Sequence, residues 1–186
     1  MNRTGFRPAV GYLRGALVSG LLAVAVLLTH ALPAAAEALP EYRLKALFVY
    51  NFALFTEWPD DVGDTLTLCV YGPDPFGAEI DALRGKQVGS RSISVQRKGI
   101  GEPVGGCQIL FIAAPAINAV PQVLKRLSGS PVLTIADSPG AARRGVALNL
   151  SVAADRVTFE ANLQAARDAG LNLSSKLLRL ATQVIQ

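Results

Sequence analysis

The sequence predicts an α/β fold, a layered sandwich in which helices flank a largely parallel, mixed sheet. The continuous apolar runs "CQILFIAA" and "PVLTIAD" are typical of strands that are buried on both faces of a sheet. Helical segments alternate with these strands along the chain, as they do in α/β proteins. The alternating segments "GVALNLSV" and "DRVTFEAN" are close in sequence, which predicts an antiparallel pair at the edge of the sheet.

The individual elements follow from local signals. A helix is expected over residues 41–58, and it should stop there because Pro59 disfavours helical backbone in the residue before it. The elements expected after it are, in order, a strand over 65–72, a short helix over 78–85, strands over 91–98 and 107–114, a helix over 115–127, strands over 131–137, 145–152 and 155–162, and helices over 163–170 and 174–185.

The beginning of the chain has the composition of a secretory signal peptide. Three arginines precede or border the apolar run Gly15–Leu28, and small residues lead to a cleavage site after Ala36. An uncleaved membrane anchor is the alternative, but the helix-breaking Pro33 favours cleavage. We expect residues 1–36 to be removed and residues 37–186 to form a single exported domain.

Charge and composition exclude several classes of function. Without the leader the chain has 15 Lys and Arg against 14 Asp and Glu, and it has no basic patch interleaved with aromatic residues, so no nucleic-acid partner is expected. The only histidine, His30, lies in the leader. The exported chain therefore lacks a Ser–His or Cys–His nucleophile and a histidine-ligated metal site. We expect no catalytic residue, cofactor or metal; a histidine-free hydrolase is the remaining enzymatic alternative.

The two cysteines predict one disulfide bond. Cys69 and Cys107 form an even pair in a chain that is expected to be exported, and exported proteins fold in an oxidising compartment. A bridge that closes a loop of this length stabilises a fold by about 4 kcal/mol in the chain-entropy description. Two buried, unpaired thiols are the alternative interpretation.

The stretch "KALFVYNFALFTEWP" is rich in aromatic side chains, yet it is too short and too polar to span a bilayer. Helical spacing predicts a buried stripe made of Leu44, Leu47, Phe48, Asn51, Phe52 and Phe55. Four further residues lie off that stripe: Tyr50, Ala53, Leu54 and Trp58. They form either a second buried side or a face for another molecule, and packing in the core is the simpler interpretation.

The tail "GLNLSSKLLRLATQVI" predicts a helix that ends the fold. Asn172 or Ser174 is suited to cap its beginning, and its leucines favour burial. Lys176 and Arg179 should then face either water or a partner.

Three blocks of the sequence resemble, in the same order, those of the YfiR-like family of periplasmic proteins. They are "LKALFVYNFALFTEWP", "VLTIAD" and "VTFEANLQAARDAGLNLSSKLLRLA", and with the strand "LCVYG" the resemblance spans essentially the whole chain after the leader. It implies a periplasmic, non-enzymatic repressor that binds the periplasmic domain of an inner-membrane diguanylate cyclase and so limits cyclic-di-GMP signalling and biofilm formation. It also implies a homodimer and sequestration by an OmpA-like outer-membrane lipoprotein.

The resemblance also bears on individual residues. Cys69 and Cys107 match the first cysteine pair of the family, whereas the second pair, expected near "GVALNL", is absent. Redox control through a second bridge is therefore not expected. An inhibitor without catalytic groups must act through its surface, so we predict that part of the aromatic helix or of the tail forms a homodimer or partner face. The candidate contact residues are Tyr50, Trp58, Lys176 and Arg179.

A small-ligand-binding protein of the periplasm is the alternative function. Its pocket is expected beyond the ends of two strands, near residues 72–76 and 137–140, where α/β proteins commonly bind ligands.

Overall fold

The computed structural model describes residues 41–153 and 156–186; the predicted signal peptide, residues 1–36, lies outside the described residues. The strands are β1 Thr56–Glu57, β2 Thr65–Tyr71, β3 Gln87–Val88, β4 Arg91–Lys98, β5 Ile109–Ile112, β6 Leu133–Ala136, β7 Leu148–Ala153, β8 Arg156–Asn162, β9 Asn172–Leu173 and β10 Gln183–Ile185. The α-helices of this part of the chain are α1 Glu41–Leu54, α2 Ala78–Asp81, α3 Val120–Leu127, α4 Leu163–Asp168 and α5 Ser175–Leu178. Two 3₁₀ helices cover Ala114–Ala119 and Ala142–Arg144.

Eight strands form one mixed sheet in the order β10-β8-β7-β6-β5-β2-β4-β3. The central strands β4, β2, β5, β6 and β7 are parallel, while β3 and the pair β8 and β10 run the other way. The predicted α/β class with a largely parallel, mixed sheet is confirmed. The predicted antiparallel pairing is also confirmed, since β7 and β8 pair in register from Leu148↔Ala161 to Ala153↔Arg156. Its predicted position at the edge of the sheet is wrong, because β10 pairs with the outer side of β8. A separate two-stranded sheet joins β1 to β9.

The strands β2, β5 and β6 are buried on both faces because their side chains alternate between two hydrophobic cores. On β2, Leu66, Leu68 and Val70 belong to the core that lies under α1, whereas Cys69 and Tyr71 belong to the core under α3. The strands β5 and β6 divide their side chains in the same way. This two-sided burial explains why their sequences are continuous apolar runs.

The predicted buried stripe of α1 is wrong for two of its six members, Leu47 and Asn51. Among its residues Phe52 is fully buried, but Asn51 is exposed and Leu47 is 45% exposed. The buried face instead comprises Lys45, Ala46, Val49, Phe52 and Ala53. Small side chains let the helix approach the sheet closely, while the larger Leu44, Phe48 and Phe55 lie half-buried at the border of this face.

Helix α1 ends at Leu54 and not at the predicted position 58. The Thr56 hydroxyl donates to the Phe52 carbonyl at 2.7 Å, and Thr56 and Glu57 then pair with Leu173 and Asn172 as strand β1. A β-ladder with a distant segment thus replaces the helix, which ends five residues before Pro59.

The predicted terminal helix over 174–185 is also wrong in its second half. Ser174 does cap α5, because its hydroxyl accepts the Leu177 amide at 3.2 Å, but the helix ends at Leu178. Residues 183–185 form β10, which pairs in parallel with β8. Two β-branched residues in succession suit a strand, and the ladder with β8 satisfies backbone groups that a helix would have satisfied locally.

The structure contains a disulfide between Cys69 on β2 and Cys107 just before β5. Both cysteines are buried in the core under α3. Because the bridge spans 38 residues, it stabilises the fold by about 4 kcal/mol in the chain-entropy description.

Candidate functional site

A cleft of about 440 Å³ opens at the carboxyl end of β6. It forms because β6 pairs with β7 only at Ile135↔Leu148 and Ala136↔Asn149. Beyond Asn149, β7 continues without a partner strand on that side, and the loop that begins at Asp137 turns away from it. The cleft is bordered by this loop, by the free edge of β7 and by the beginning of α1.

A buried ion pair forms one wall of the cleft. Lys45 Nζ donates to Asp137 Oδ2 at 2.8 Å, and the two side chains are only 5% and 2% exposed. The Tyr42 hydroxyl donates to the same oxygen at 3.2 Å, and Glu41 pairs with Lys45 from the rim. The first turn of α1 is thereby attached to the end of β6. Although Lys45 is charged, it is one of the most buried residues of the aromatic stretch.

The electrostatics of this wall keep Lys45 charged. Burial by itself would lower the pKa of Lys45, but its hydrogen bonds to Asp137 and Glu41 outweigh burial, so the pKa lies above its ordinary value. Burial and the Asp137 carboxylate raise the pKa of the Tyr42 hydroxyl. At neutral pH Asp137 therefore contacts one cation and one neutral donor.

The opposite wall is a polar pair on the neighbouring strands. Asn149 on β7 and Glu160 on β8 are directly opposite each other, and Asn149 Nδ2 donates to Glu160 Oε2 at 3.1 Å. Oδ1 of the Asn149 side chain accepts a hydrogen bond from the Ser138 backbone amide at 3.2 Å. This chain of hydrogen bonds holds the loop after β6 against the β7–β8 hairpin.

Two buried oxygens beside the cleft have no hydrogen-bond partner among the described residues. They are Asp137 Oδ1 and Ser138 Oγ. Tyr42 and Lys45 both bond to Oδ2 of Asp137, so Oδ1 keeps its accepting capacity. Buried polar atoms are normally paired, so each of these two calls for an explanation.

The predicted small-ligand pocket is only half correct. Residues 137–140 contribute to the cleft, but residues 72–76 are not among those that line it. Phe76 is buried instead, with its ring 5.3 Å from Tyr42 and 4.6 Å from Phe111. The second loop is thus filled by an aromatic side chain and does not form a cavity with the first.

The four predicted contact residues are not brought together. Tyr50 and Trp58 are half-buried and contribute to the fold, since the Tyr50 hydroxyl donates to the Gln87 carbonyl and Trp58 Nε1 to the Ala53 carbonyl. Gln87 lies on β3, the last strand at one edge of the sheet. Lys176 and Arg179 lie in the segment that leads to β10, at the other edge.

The surface around Lys176 and Arg179 is both basic and apolar. Both side chains are exposed, and the next residue, Leu180, is 70% exposed, the highest value among the large hydrophobic residues that the structure describes. Val184 on the edge strand β10 is partly exposed as well. We call these four residues the tail surface.

Sequence reasoning missed the polar members of the cleft that lie outside residues 137–140, namely Glu41, Lys45, Asn149, Ser151 and Glu160. The available signal was weak: Asp137 directly follows a continuous apolar strand, which marks the carboxyl end of a parallel strand. In residues 41–153 and 156–186 no group of three or more acidic, histidine or cysteine side chains is arranged to hold a metal ion. No helix of these residues is long and apolar enough to cross a membrane.

A family model described as YfiR/HmsC-like matches residues 42–182. This chain belongs to the YfiR/HmsC-like family. The match runs from the first turn of α1 to the residue before β10, so it includes the residues that line the cleft except Glu41, and the tail surface except Val184. The family acts in the periplasm as a regulator of diguanylate cyclase signalling, and its members are regulators rather than enzymes. Membership therefore supports a periplasmic regulator of this signalling.

Proposed function

We propose that this protein binds the periplasmic domain of an inner-membrane diguanylate cyclase and represses the enzyme without catalysing a reaction itself. The observation that carries the proposal is the family match over residues 42–182. Repression of the cyclase lowers cyclic-di-GMP and limits biofilm formation. The chain reaches the periplasm after cleavage of residues 1–36, and residues 37–186 act as one domain.

The tail surface is the contact that we propose for the cyclase. Leu180 and Val184 expose apolar area, which drives association, and Lys176 and Arg179 add positive charge in the same segment. Because these side chains are exposed, their replacement should leave the core intact. The matching surface of the cyclase is expected to be acidic around an apolar centre.

Tyr50 and Trp58 are proposed as a second contact that forms the homodimer. Their hydrogen bonds to backbone carbonyls fix the rings while leaving part of each side chain accessible. The exposed face of α1 next to Tyr50 includes Leu47 and Leu54, which supply further apolar area. Sequestration by an OmpA-like lipoprotein is proposed from the family resemblance alone.

Charge reversal on the tail surface tests the contact with the cyclase. We expect the double variant Lys176→Glu with Arg179→Glu to bind the periplasmic domain of the cyclase at least about tenfold more weakly, because like charges across an interface are unfavourable. The affinity is measured by biolayer interferometry, and cyclic-di-GMP production is measured in membranes that contain the cyclase.

The matched control is Lys125→Glu with Arg126→Glu. These residues form an exposed basic pair on α3, which packs on the other face of the sheet. The control variant should bind like the unmodified protein. Equal affinities for the two double variants would exclude the tail surface, and no binding of the unmodified protein to the cyclase would contradict the proposed function itself.

A further inference from the structure

We infer that the partner of the tail surface adds a β-strand to the outer edge of β10, and that this strand is apolar with acidic residues at one end. Strand addition deepens the proposed function and rests on it for the identity of the partner, because the tail surface is the contact that we propose for the cyclase. The cyclase would then present an extended segment to this protein, and not a helix.

The outer edge of β10 is open. β10 is the first strand in the order of the eight-stranded sheet, and its one partner among the described residues is β8. Gln183, Val184 and Gln186 are exposed. An edge strand of this kind presents backbone donors and acceptors that another extended segment can pair.

The backbone groups of Val184 are the ones that point outward. The Asn162 amide donates to the Ala147 carbonyl beside β7, so the preceding residue of β8, Ala161, directs its backbone groups toward β10. Ala161 lies opposite Val184, and in a parallel ladder a residue bonds to the two neighbours of the residue opposite it. The two neighbours of Val184 therefore bond to β8, whereas the N–H and the carbonyl of Val184 itself remain for a further strand.

The opposite edge of the sheet is protected. There β3 has only two residues, and the exposed Lys86 precedes it. The Lys86 carbonyl accepts the Ile93 amide, so the next carbonyl, that of Gln87, points outward. The Tyr50 hydroxyl donates to this carbonyl at 2.8 Å. The segment "TQVIQ" that contains β10 has no charged residue and no proline, which are common means of blocking an edge, so this edge is suited to binding.

The charge next to β10 selects an acidic segment. Lys176 and Arg179 are exposed in the segment that leads to β10, and neither takes part in an ion pair within residues 41–153 and 156–186. Acidic residues at one end of the added strand offset this charge. A second copy of the chain would bring the uncharged strand β10 to the same edge, so the two cations would gain no partner.

The face of β10 that carries Val184 selects apolar residues. Val184 lies opposite Ala161, which belongs to the core under α1, so its side chain lies on that face of the sheet. Val184 is 37% exposed, and Leu180, three residues before β10, is 70% exposed. Every second residue of an added strand points to the same face, and an apolar side chain there removes area of Val184 from water.

Val184→Pro tests the addition of a strand. Proline removes the outward N–H but no bond of the ladder with β8, which is the position in which edge strands tolerate it. Val184→Ile is the matched variant, because it keeps the N–H and an apolar side chain. We expect Val184→Pro to bind the periplasmic domain of the cyclase at least about fivefold more weakly than Val184→Ile, since a backbone hydrogen bond is lost. The affinities are measured by biolayer interferometry, and thermal melting checks that both variants stay folded.

A peptide tests strand addition without the cyclase. The probe is acetyl-Asp-Glu-Val-Thr-Val-Thr-amide, which is titrated into isotopically labelled protein purified after expression of the full chain. We expect saturable changes in the NMR signals of residues 183–185 and slower hydrogen exchange of the Val184 amide. The control peptide has two lysines in place of Asp and Glu, and it should bind at least about fivefold more weakly.

The outcomes separate strand addition from the proposed function. Equal affinities of Val184→Pro and Val184→Ile for a cyclase domain that binds the unmodified protein would overturn strand addition and leave the repressor function standing. If the unmodified protein did not bind the cyclase, the proposed function would fail and the peptide would decide: unchanged signals at residues 183–185, or equal binding of the two peptides, would overturn strand addition. A dimer that Val184→Pro dissociates and Val184→Ile does not would assign the edge to a second copy of the chain and would also overturn it.

Discussion

The loop after β2 and the loop after β6 leave the same edge of the parallel sheet, yet their surroundings differ. After β2, Phe76 fills the space, and Arg97 bonds to Asp74 and Asp81 at 2.8 and 2.9 Å in an exposed cluster. After β6, a buried ion pair and an unpaired carboxylate oxygen border an open cleft. In the first loop each charge faces its partner in water, whereas in the second an excess of acceptors is held away from water.

The comparison shows which loop depends more on its ion pair. An exposed ion pair is screened and contributes little, while a buried one is sensitive to the loss of either partner. The stability of the fold should therefore depend more on the charges at the end of β6, although both loops are polar and both follow a parallel strand.

The largest expected effect is that of Lys45→Met. It leaves the Asp137 carboxylate buried without its cation, which should lower the free energy of unfolding by about 3–5 kcal/mol in urea denaturation. Arg43→Met is the control, because Arg43 pairs with Glu79 at 3.9 Å on the exposed side of the same helix. The double variant Lys45→Met with Asp137→Asn should recover part of the loss. Similar small losses in Lys45→Met and Arg43→Met would show that the ion pair does not hold α1 in place.

Alkaline pH should cause a smaller and gradual loss of stability at the loop after β6. The pKa values of Lys45 and Tyr42 are raised in the folded protein, so their contribution is complete below about pH 10 and is lost as the pH rises through the folded values. Melting temperatures measured between pH 8 and pH 11 should fall more steeply for the unmodified protein than for Lys45→Met with Asp137→Asn. If the melting temperatures of the two proteins fell in parallel as the pH rises, the buried ion pair would not be the cause of the loss of stability.

The smallest effect is expected at the loop after β2. Arg97→Met removes two ion pairs, but its side chain is exposed, so the loss should be at most about 1 kcal/mol. Exposed Lys125→Met is the control for loss of a surface charge. If Arg97→Met lost as much free energy of unfolding as Lys45→Met, the ion pairs at the two loops would be equally important and the contrast between the loops would be wrong.

The parts of the fold that the sequence predicted are those that depend on local pattern. The strands β5 and β6 were predicted because two-sided burial produces continuous apolar runs, and the β7–β8 hairpin because its strands are neighbours in sequence. In α1 the prediction gave weight to large aromatic residues, while the face next to the sheet is made mainly of small ones.

The missed features depend on contacts between distant segments. β10 follows a segment with helical spacing, and only its ladder with β8 determines that it is a strand. Lys45 would ordinarily be placed on the solvent side of an amphipathic helix, since its partner Asp137 lies 92 residues further along the chain. The cleft could not be predicted for the same reason: its walls come from α1, from the loop after β6 and from the β7–β8 hairpin.

The ion pair between Lys45 and Asp137 also constrains the order of folding. A chain that is made and exported from its amino end releases α1 early, but the acceptor that neutralises Lys45 is formed only after β6 has joined the sheet. Contacts between such distant segments are slow to form. Until then Val49 and Phe52, which are fully buried in the final structure, lack the part of their core that β6, β7 and β8 supply, including Phe159 beside Phe52. Helix α1 therefore docks late although it lies at the start of the described residues, and until then its apolar face is left for a chaperone to cover.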